Sequence, residues 1–241
     1  MALLELERVS KLYRRGSRER MVLSDVSLSL EAGELVGVWG MRGSGRSTLL
    51  RVAAGIEPPD SGLVRFDGAV VSGGRGGRSR EEIGFCQRAL RPAEGRVVLE
   101  HASTGLLARG MREAPARERA RRALARAGAE ECAMLEPSEL DAGEAVRVAI
   151  ARALALAPRL LIIDEPTAGV EPEERDGLLG LLRSLADEGI AVLASAGALS
   201  AGLAGADRAL ALREGALHGE RQPELAQVVE LHGPSTWRAT G

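Results

Sequence analysis

The chain has 241 residues, 45% of them hydrophobic, enough to bury the core of one large α/β domain or of one domain carrying a subdomain, and too apolar for a disordered chain. Its 32 basic and 34 acidic residues nearly cancel to a formal charge of -2, which excludes a global field favouring nucleic acid or an anionic membrane, so any partner is recognised locally. Two cysteines, Cys86 and Cys132, lack zinc-ligand spacing and fit reduced thiols, and Glu5, Glu7 and Arg8 stand where a signal peptide needs an apolar stretch; the expectation is a cytoplasmic protein.

In chain order, alternating apolar residues in "ALLELERV" and "MVLSDVSLSL" predict two early strands, and "ELVGVW" predicts a buried strand running directly into "GMRGSGRST", residues 40–48. "STLLRVAAG" reads as the helix that follows. In "LVRFDGAVV", Asp67 and Gly68 between apolar runs signal a hairpin. "SGGRGGRSR", residues 72–80, has the composition of an exposed loop, with an anion site as the less favoured reading. Residues 97–127 carry a helical pattern with charged stretches and predict a separate helical subdomain. Residues 143–157 predict a long helix, "RLLIID" a buried strand, "EPEERDGLLGLLRSLADEG" a helix and "IAVLAS" a strand, so the sheet is expected to be mainly parallel. The uncharged residues 190–206 are too short and too weakly apolar to span a bilayer. From about Gln222 periodicity is lost, which predicts a loosely held tail.

The glycine loop departs from Gly-x-x-x-x-Gly-Lys-Ser/Thr at one position, where Arg46 replaces lysine. Its place between a strand and a helix lets backbone N–H groups and the helix N-terminus converge on phosphate oxygens, with Ser47 as a Mg²⁺ ligand. A glycine-rich turn without ligand competes with this reading until a second motif is considered. The apolar "LLII" delivers Asp164 and Glu165 to the carboxyl end of a strand, where open parallel sheets bind ligands. There Asp164 suits a partner for Mg²⁺, and Glu165 suits a base that polarises an attacking water.

With these motifs the chain resembles the nucleotide-binding subunits of ATP-binding cassette (ABC) transporters over nearly its whole length. The ordered set is Tyr13, "GMRGSGRST", "IGFCQ", "PSELDAGEAVRVAIARAL", "LLIIDEPTAGVEP" and "ADRALALREGAL". Within the family it is most similar to the branch that exports lipoproteins or macrolides or acts on small peptides. The resemblance implies an α/β P-loop NTPase with a mainly parallel core, an N-terminal antiparallel β subdomain and an inserted helical subdomain at about 90–142, within an ATP-binding domain spanning 1–221. It implies that ATP and Mg²⁺ are held by Gly40, Arg42, Gly43, Ser44, Gly45, Arg46, Ser47 and Thr48. It also implies that Tyr13 stacks on adenine, for which a surface tyrosine is an equally weighted alternative, and that Gln87 senses the terminal phosphate and joins Ser47 and Asp164 around the metal. The implied partners are a transmembrane permease on another chain and a second ATP-binding subunit, with the protein peripheral on the inner face of the membrane.

Three departures bear on turnover. The family signature Leu-Ser-Gly-Gly-Gln, which faces the nucleotide of the opposite subunit, corresponds to Leu140, Asp141, Ala142, Gly143 and Glu144. Asp141 presents a carboxylate where the family has serine, and two unit charges about 4 Å apart repel by roughly 4 kcal/mol at an effective dielectric near 20. The spacing of Asp141 and Glu144 predicts instead a capping box that satisfies the helix's own N–H groups. The family's switch histidine corresponds to Gly197; His101, His218 and His232 read as surface or loop residues without chemistry. Arg46 keeps the charge of lysine but replaces a compact ammonium by a planar fork. An ATPase subunit of low turnover and a non-hydrolysing scaffold for a membrane complex both remain open, the intact Asp164–Glu165 pair favouring the first. A soluble protein without a permease is disfavoured, because such members carry two cassettes.

Overall fold

The computed structural model describes residues 2–71, 81–86, 95–197 and 203–220. The loop at 72–80, Gln87, His232 and the tail at 222–241 lie outside the described residues. The chain opens with β1 (Leu4–Arg15) and β2 (Arg18–Leu30), an antiparallel pair in which Leu23, Val26, Leu28 and Leu30 of β2 turn inward. The alternation slips once, between Leu23 and Val26, where Asp25 adopts a left-handed backbone and the register shifts against β1. β3 (Leu35–Trp39) enters the glycine loop, and α1 (Arg46–Ala53) leaves it. β4 (Ser61–Phe66) and β5 (Ala69–Val70) form the expected hairpin, with Asp67 and Gly68 both at positive φ, as a two-residue turn between twisted strands requires.

After β6 (Ile83–Cys86) come α2 (Val98–Ala108), α3 (Glu113–Arg126) and a short 3₁₀ turn, Glu131–Met134. The chain then alternates through α4 (Ala142–Leu154), β7 (Leu160–Ile163), α5 (Pro172–Asp187) and β8 (Ala191–Ala196), and ends in the hairpin β9 (Arg208–Arg213) and β10 (Ala216–Glu220).

Two sheets result. One is antiparallel, in the order β2-β1-β4-β5; the other, in the order β10-β9-β3-β8-β7-β6, is parallel apart from the β9–β10 hairpin. One core fills the space between the sheets, around α1, with Leu4, Leu30, Leu49, Leu50, Phe66 and Leu193. The other lies between the parallel sheet and α2–α5, with Leu99, Leu124, Ile150, Leu161, Leu182 and Ala194. Strands covered on both faces favour apolar residues at nearly every position, which is why β7 and β8 are buried throughout and, Ser195 apart, read as apolar runs.

His101 departs from the surface position expected of it. It lies on α2 and is only 9% exposed, because it follows Val98 by three positions and so borders the inward stripe. His218 is exposed on β10. The strand order has one consequence for chemistry: β8 lies between β3 and β7, so the glycine loop, the end of β8 and the acid pair leave the sheet side by side.

Candidate functional site

The glycine loop is shaped by close backbone approach. Gly45 caps α1 with φ of 107°, and a Cβ there would lie 2.7 Å from the carbonyl oxygen of Val22 on β2. A Cβ on Gly40 would lie 2.5 Å from the Leu212 carbonyl oxygen on β9. Arg20 Nη2 donates to the Gly43 carbonyl at 2.8 Å and fixes the outer turn. No described side chain caps α1, and its first turn holds no acid, so the first-turn N–H groups of Arg46, Ser47 and Thr48 are left available to an external acceptor. Ser47 and Arg42 are exposed, whereas Ser44, Arg46 and Thr48 are partly or wholly covered.

Tyr13 is half-buried, and its hydroxyl donates to the carboxylate of Glu57. Thr48 Oγ1 and Arg51 Nη2 each lie 3.4 Å from that hydroxyl, and Lys11 Nζ lies 5.9 Å from the ring centroid. The tyrosine is thus tied to the first turns of α1 instead of being a free surface residue.

Asp164 and Glu165 follow β7 directly, and Glu165 takes a left-handed backbone with φ of 48°, uncommon for a residue with a side chain. Ser195, fully buried on β8, holds this turn: its hydroxyl donates to Asp164 Oδ1 at 2.6 Å and accepts from the Glu165 N–H at 3.0 Å. The glycine loop and the acid pair meet through one ion pair, Arg46 Nη2 to Glu165 Oε1 at 2.6 Å, with Arg46 8% and Glu165 21% exposed. Arg46 Nη1 is buried without a hydrogen-bond partner among the described residues. Ser195 is a site residue beyond those expected from the motifs, since its only signal in the sequence is one hydroxyl inside an apolar run.

Among the described residues no cluster of three His, Cys, Asp or Glu could hold a metal by itself. Asp164 with the exposed Ser47 hydroxyl is nevertheless a donor set that suits Mg²⁺, an ion usually held by one or two carboxylates together with substrate phosphates.

The structure forms the capping box at α4. Asp141 Oδ1 accepts from the Glu144 N–H at 2.7 Å, and Glu144 Oε2 accepts from the Asp141 N–H at 3.0 Å. A Cβ on Gly143 would lie 2.2 Å from Glu174 Oε2, so a third carboxylate stands at the same helix end. Asp141 and Gly143 make no hydrogen bond or ion pair to the glycine loop among the described residues. Gly197 does belong to the loop's surroundings, since a Cβ there would lie 3.7 Å from Arg46 Nη1.

Comparison with known proteins decides the family, since residues 23–168 match the family model described as ABC transporter. The chain belongs to the ABC transporter family. It is 39% identical over 195 residues to the lipoprotein-releasing system ATP-binding protein LolD of Maricaulis maris, covering 79% of this chain and 85% of that one. It is 35% identical over 189 residues to the methionine import ATP-binding protein MetN 1 of Rhodococcus jostii, covering 77% of this chain and 56% of that one, so the chain spans about half the length of this relative. Among solved structures, the dimeric bacterial ABC transporter cassette MJ0796 covers 92% of this chain and 98% of its own at 28% identity, with a TM-score of 0.82. The same cassette bound to ADP and Pi in a post-hydrolysis state gives 0.80 at 27% identity over the same shares. The α/β P-loop architecture expected from the motifs is the ABC cassette fold.

Proposed function

We propose that this ABC protein is an ATP-binding subunit that binds MgATP, hydrolyses it slowly and so drives or gates a transmembrane permease on a separate chain, in company with a second ATP-binding subunit at the inner face of the membrane. The observation that carries the reading is the meeting of an uncapped helix N-terminus and an acid pair at the carboxyl ends of β3 and β7, tied by Arg46 and Glu165. It is supported by relatives named as ATP-binding proteins of import and release systems and by the dimeric state of a similar cassette. No described helix is long and apolar enough to cross a membrane, in keeping with a permease on another chain.

In this reading the N–H groups of residues 40–48, with Arg42 and Arg46, orient the phosphates, and Tyr13 lies beside the adenine. Bound Mg²⁺, held by Ser47 and Asp164 with Gln87, supplies charge neutralisation at the terminal phosphates. Ser195 fixes Asp164 and the Glu165 backbone, and the Glu165 carboxylate accepts a proton from the attacking water. Residues 1–221 make up the cassette, and the helices within about 90–142 receive a cytoplasmic helix of the permease. Asp141 and Gly143 face the nucleotide of the second subunit, where the Asp141 carboxylate weakens the sandwich and slows turnover.

Calorimetric titration with MgATP tests the binding step, with millimolar or tighter affinity expected and absence of heat and thermal shift counting against it. A phosphate-release assay tests the chemistry, where a rate on the order of 1 per second or more would contradict slow turnover.

A further inference from the structure

The sequence contains two separate departures at the terminal-phosphate end of the site, arginine for lysine at 46 and glycine for histidine at 197. In the structure they share one volume. Arg46 sends Nη2 to Glu165 Oε1 at 2.6 Å, and its other nitrogen, Nη1, lies 3.7 Å from where a side chain on residue 197 would begin. Arg46 Nη1 is also the only atom that such a Cβ meets within 4 Å among the described residues. Residue 197 follows β8, which lies between β3 and β7, so the guanidinium has entered the corridor between the glycine loop and the acid pair that a longer side chain at 197 would fill. An alanine Cβ fits there in ordinary contact, and atoms beyond it that turn toward the loop would compete with the fork for the same space.

The two nitrogens are in unequal states. Nη2 has its carboxylate, while Nη1 is buried, charged and without a partner among the described residues, and a buried N–H donor left unmade is unfavourable until an acceptor arrives. Glu165 is the base in the proposed chemistry, so the phosphorus under attack lies next to it, and the nitrogen on the 197 side is placed to meet an oxygen of that same phosphate. A planar fork reaches two acceptors at once, which an ammonium on a single stem does not do with fixed geometry.

We propose that Arg46 and Gly197 are a coupled pair, in which one guanidinium contacts the terminal phosphate from the loop position and from the 197 position together, and glycine at 197 is what makes room for it. The proposal rests on the ATP-binding reading above. It changes what the two departures mean: they compensate each other, and restoring one alone damages the site.

The test is a double-mutant cycle of wild type, Arg46→Lys, Gly197→His and the double variant, with MgATP and MgADP affinities measured by calorimetry and nucleotide-free melting recorded for each. Each single variant is expected to bind MgATP about tenfold more weakly while MgADP changes by less than about threefold, and the double variant is expected to return to within about threefold of wild type, a coupling of the size that contacting residues show. Gly197→Ala, whose Cβ the corridor admits, should stay within about twofold of wild type. If Gly197→His does not fold, its rescue by Arg46→Lys shows the same coupling, and failure of rescue overturns the proposal. Additive losses in the cycle, or a tenfold loss in Gly197→Ala, overturn the pairing and leave ATP binding standing. If wild type binds no MgATP, the functional reading falls and the pairing falls with it.

Discussion

Two helix N-termini in this molecule carry family motifs, and they resolve the same physical problem in opposite ways. The first turn of any helix exposes N–H groups that its own backbone does not satisfy. At α4 the chain meets one of them itself, the Glu144 N–H, through the Asp141–Glu144 box, and the Glu174 carboxylate stands close by. At α1 the cap is Gly45, no described side chain supplies an acceptor, and the adjoining side chains are Arg42 and Arg46. An N-cap without a side-chain acceptor leaves the first turn of α1 to an incoming anion, whereas the carboxylates at the start of α4 set negative charge against one.

The largest expected effect breaks the open end from the chemical side. Glu165→Gln should lower phosphate release by about 100-fold to 10,000-fold, the usual contribution of a positioned base, with MgATP affinity unchanged or tighter because a negative charge beside the phosphates is removed. The nucleotide-free variant should also melt earlier, since the poorly exposed guanidinium loses its counter-charge; with Glu165 partly exposed, about 1–3 kcal/mol is expected from denaturant unfolding, less than for a fully buried pair. Retention of wild-type turnover in this variant would remove Glu165 from the mechanism.

Next comes a matched pair of alanines. Gly45→Ala places a Cβ 2.7 Å from a backbone carbonyl at a left-handed cap, where nothing flexible can yield. It should cost about 1–3 kcal/mol in urea unfolding and weaken MgATP about 100-fold, as expected when reacting groups shift by an ångström. Gly143→Ala meets the end of the exposed Glu174 side chain, which can swing away, and touches Asp141 Oδ1 at an ordinary 3.4 Å, so it should cost less than about 1 kcal/mol. Equal costs at the two sites would dissolve the contrast.

Which parts of this arrangement were readable from residue order follows from the range of the forces involved. The strand-loop-helix of residues 34–53, the all-apolar β7 and the box at Asp141 and Glu144 are local patterns, and the structure forms each of them. The Arg46–Glu165 pair joins residues 119 apart, and no local pattern encodes it. Ser195 was silent because a single serine in "AVLASA" does not disturb a buried strand, although its hydroxyl orders both acids. His101 departs from the expected surface position because its place one turn after Val98, at the border of the buried stripe, outweighs its polarity. For Tyr13 the order of residues offered only a choice between adenine and solvent, and the structure adds a third set of partners in Glu57, Thr48 and Arg51.

A smaller effect is expected at the closed end. Asp141→Ala removes the cap and should lower stability by about 1 kcal/mol, whereas Asp141→Ser keeps an N-cap acceptor and should stay within about 0.5 kcal/mol of wild type. Because serine also removes the negative charge, Asp141→Ser made in a Glu165→Gln background should strengthen ATP-dependent dimerisation, measured by sedimentation velocity, by about tenfold through relief of charge repulsion. If the serine variant dimerises no better, the carboxylate is not what closes this helix end to a second subunit's nucleotide.

The smallest effect reads the charge at α4 from inside the protein. A thiol beside a helix N-terminus ordinarily has a lowered pKa, because the helix end favours the thiolate. Cys132, in the 3₁₀ turn and 4% exposed, is pushed the other way, up to about 11, first by burial and then by the charges of Glu144, Asp141 and Glu131, with Glu144 also accepting a hydrogen bond from the thiol. Burial opposes ionisation of this sulfur most, and the acids at the helix end add to it. At pH 8 only about one thiol in a thousand is then ionised, so Cys132 should resist alkylation in the folded protein. Glu144→Gln removes one charge but keeps a side chain able to complete the capping box, so α4 should remain intact while alkylation of Cys132, followed by site-resolved mass spectrometry, speeds up about threefold to tenfold. Cys86, buried and raised to about 12 chiefly by burial, is the internal control and should not respond. Acceleration at both cysteines would signal loosening of the fold instead of a change in charge, and acceleration at neither would mean that burial alone sets the Cys132 pKa.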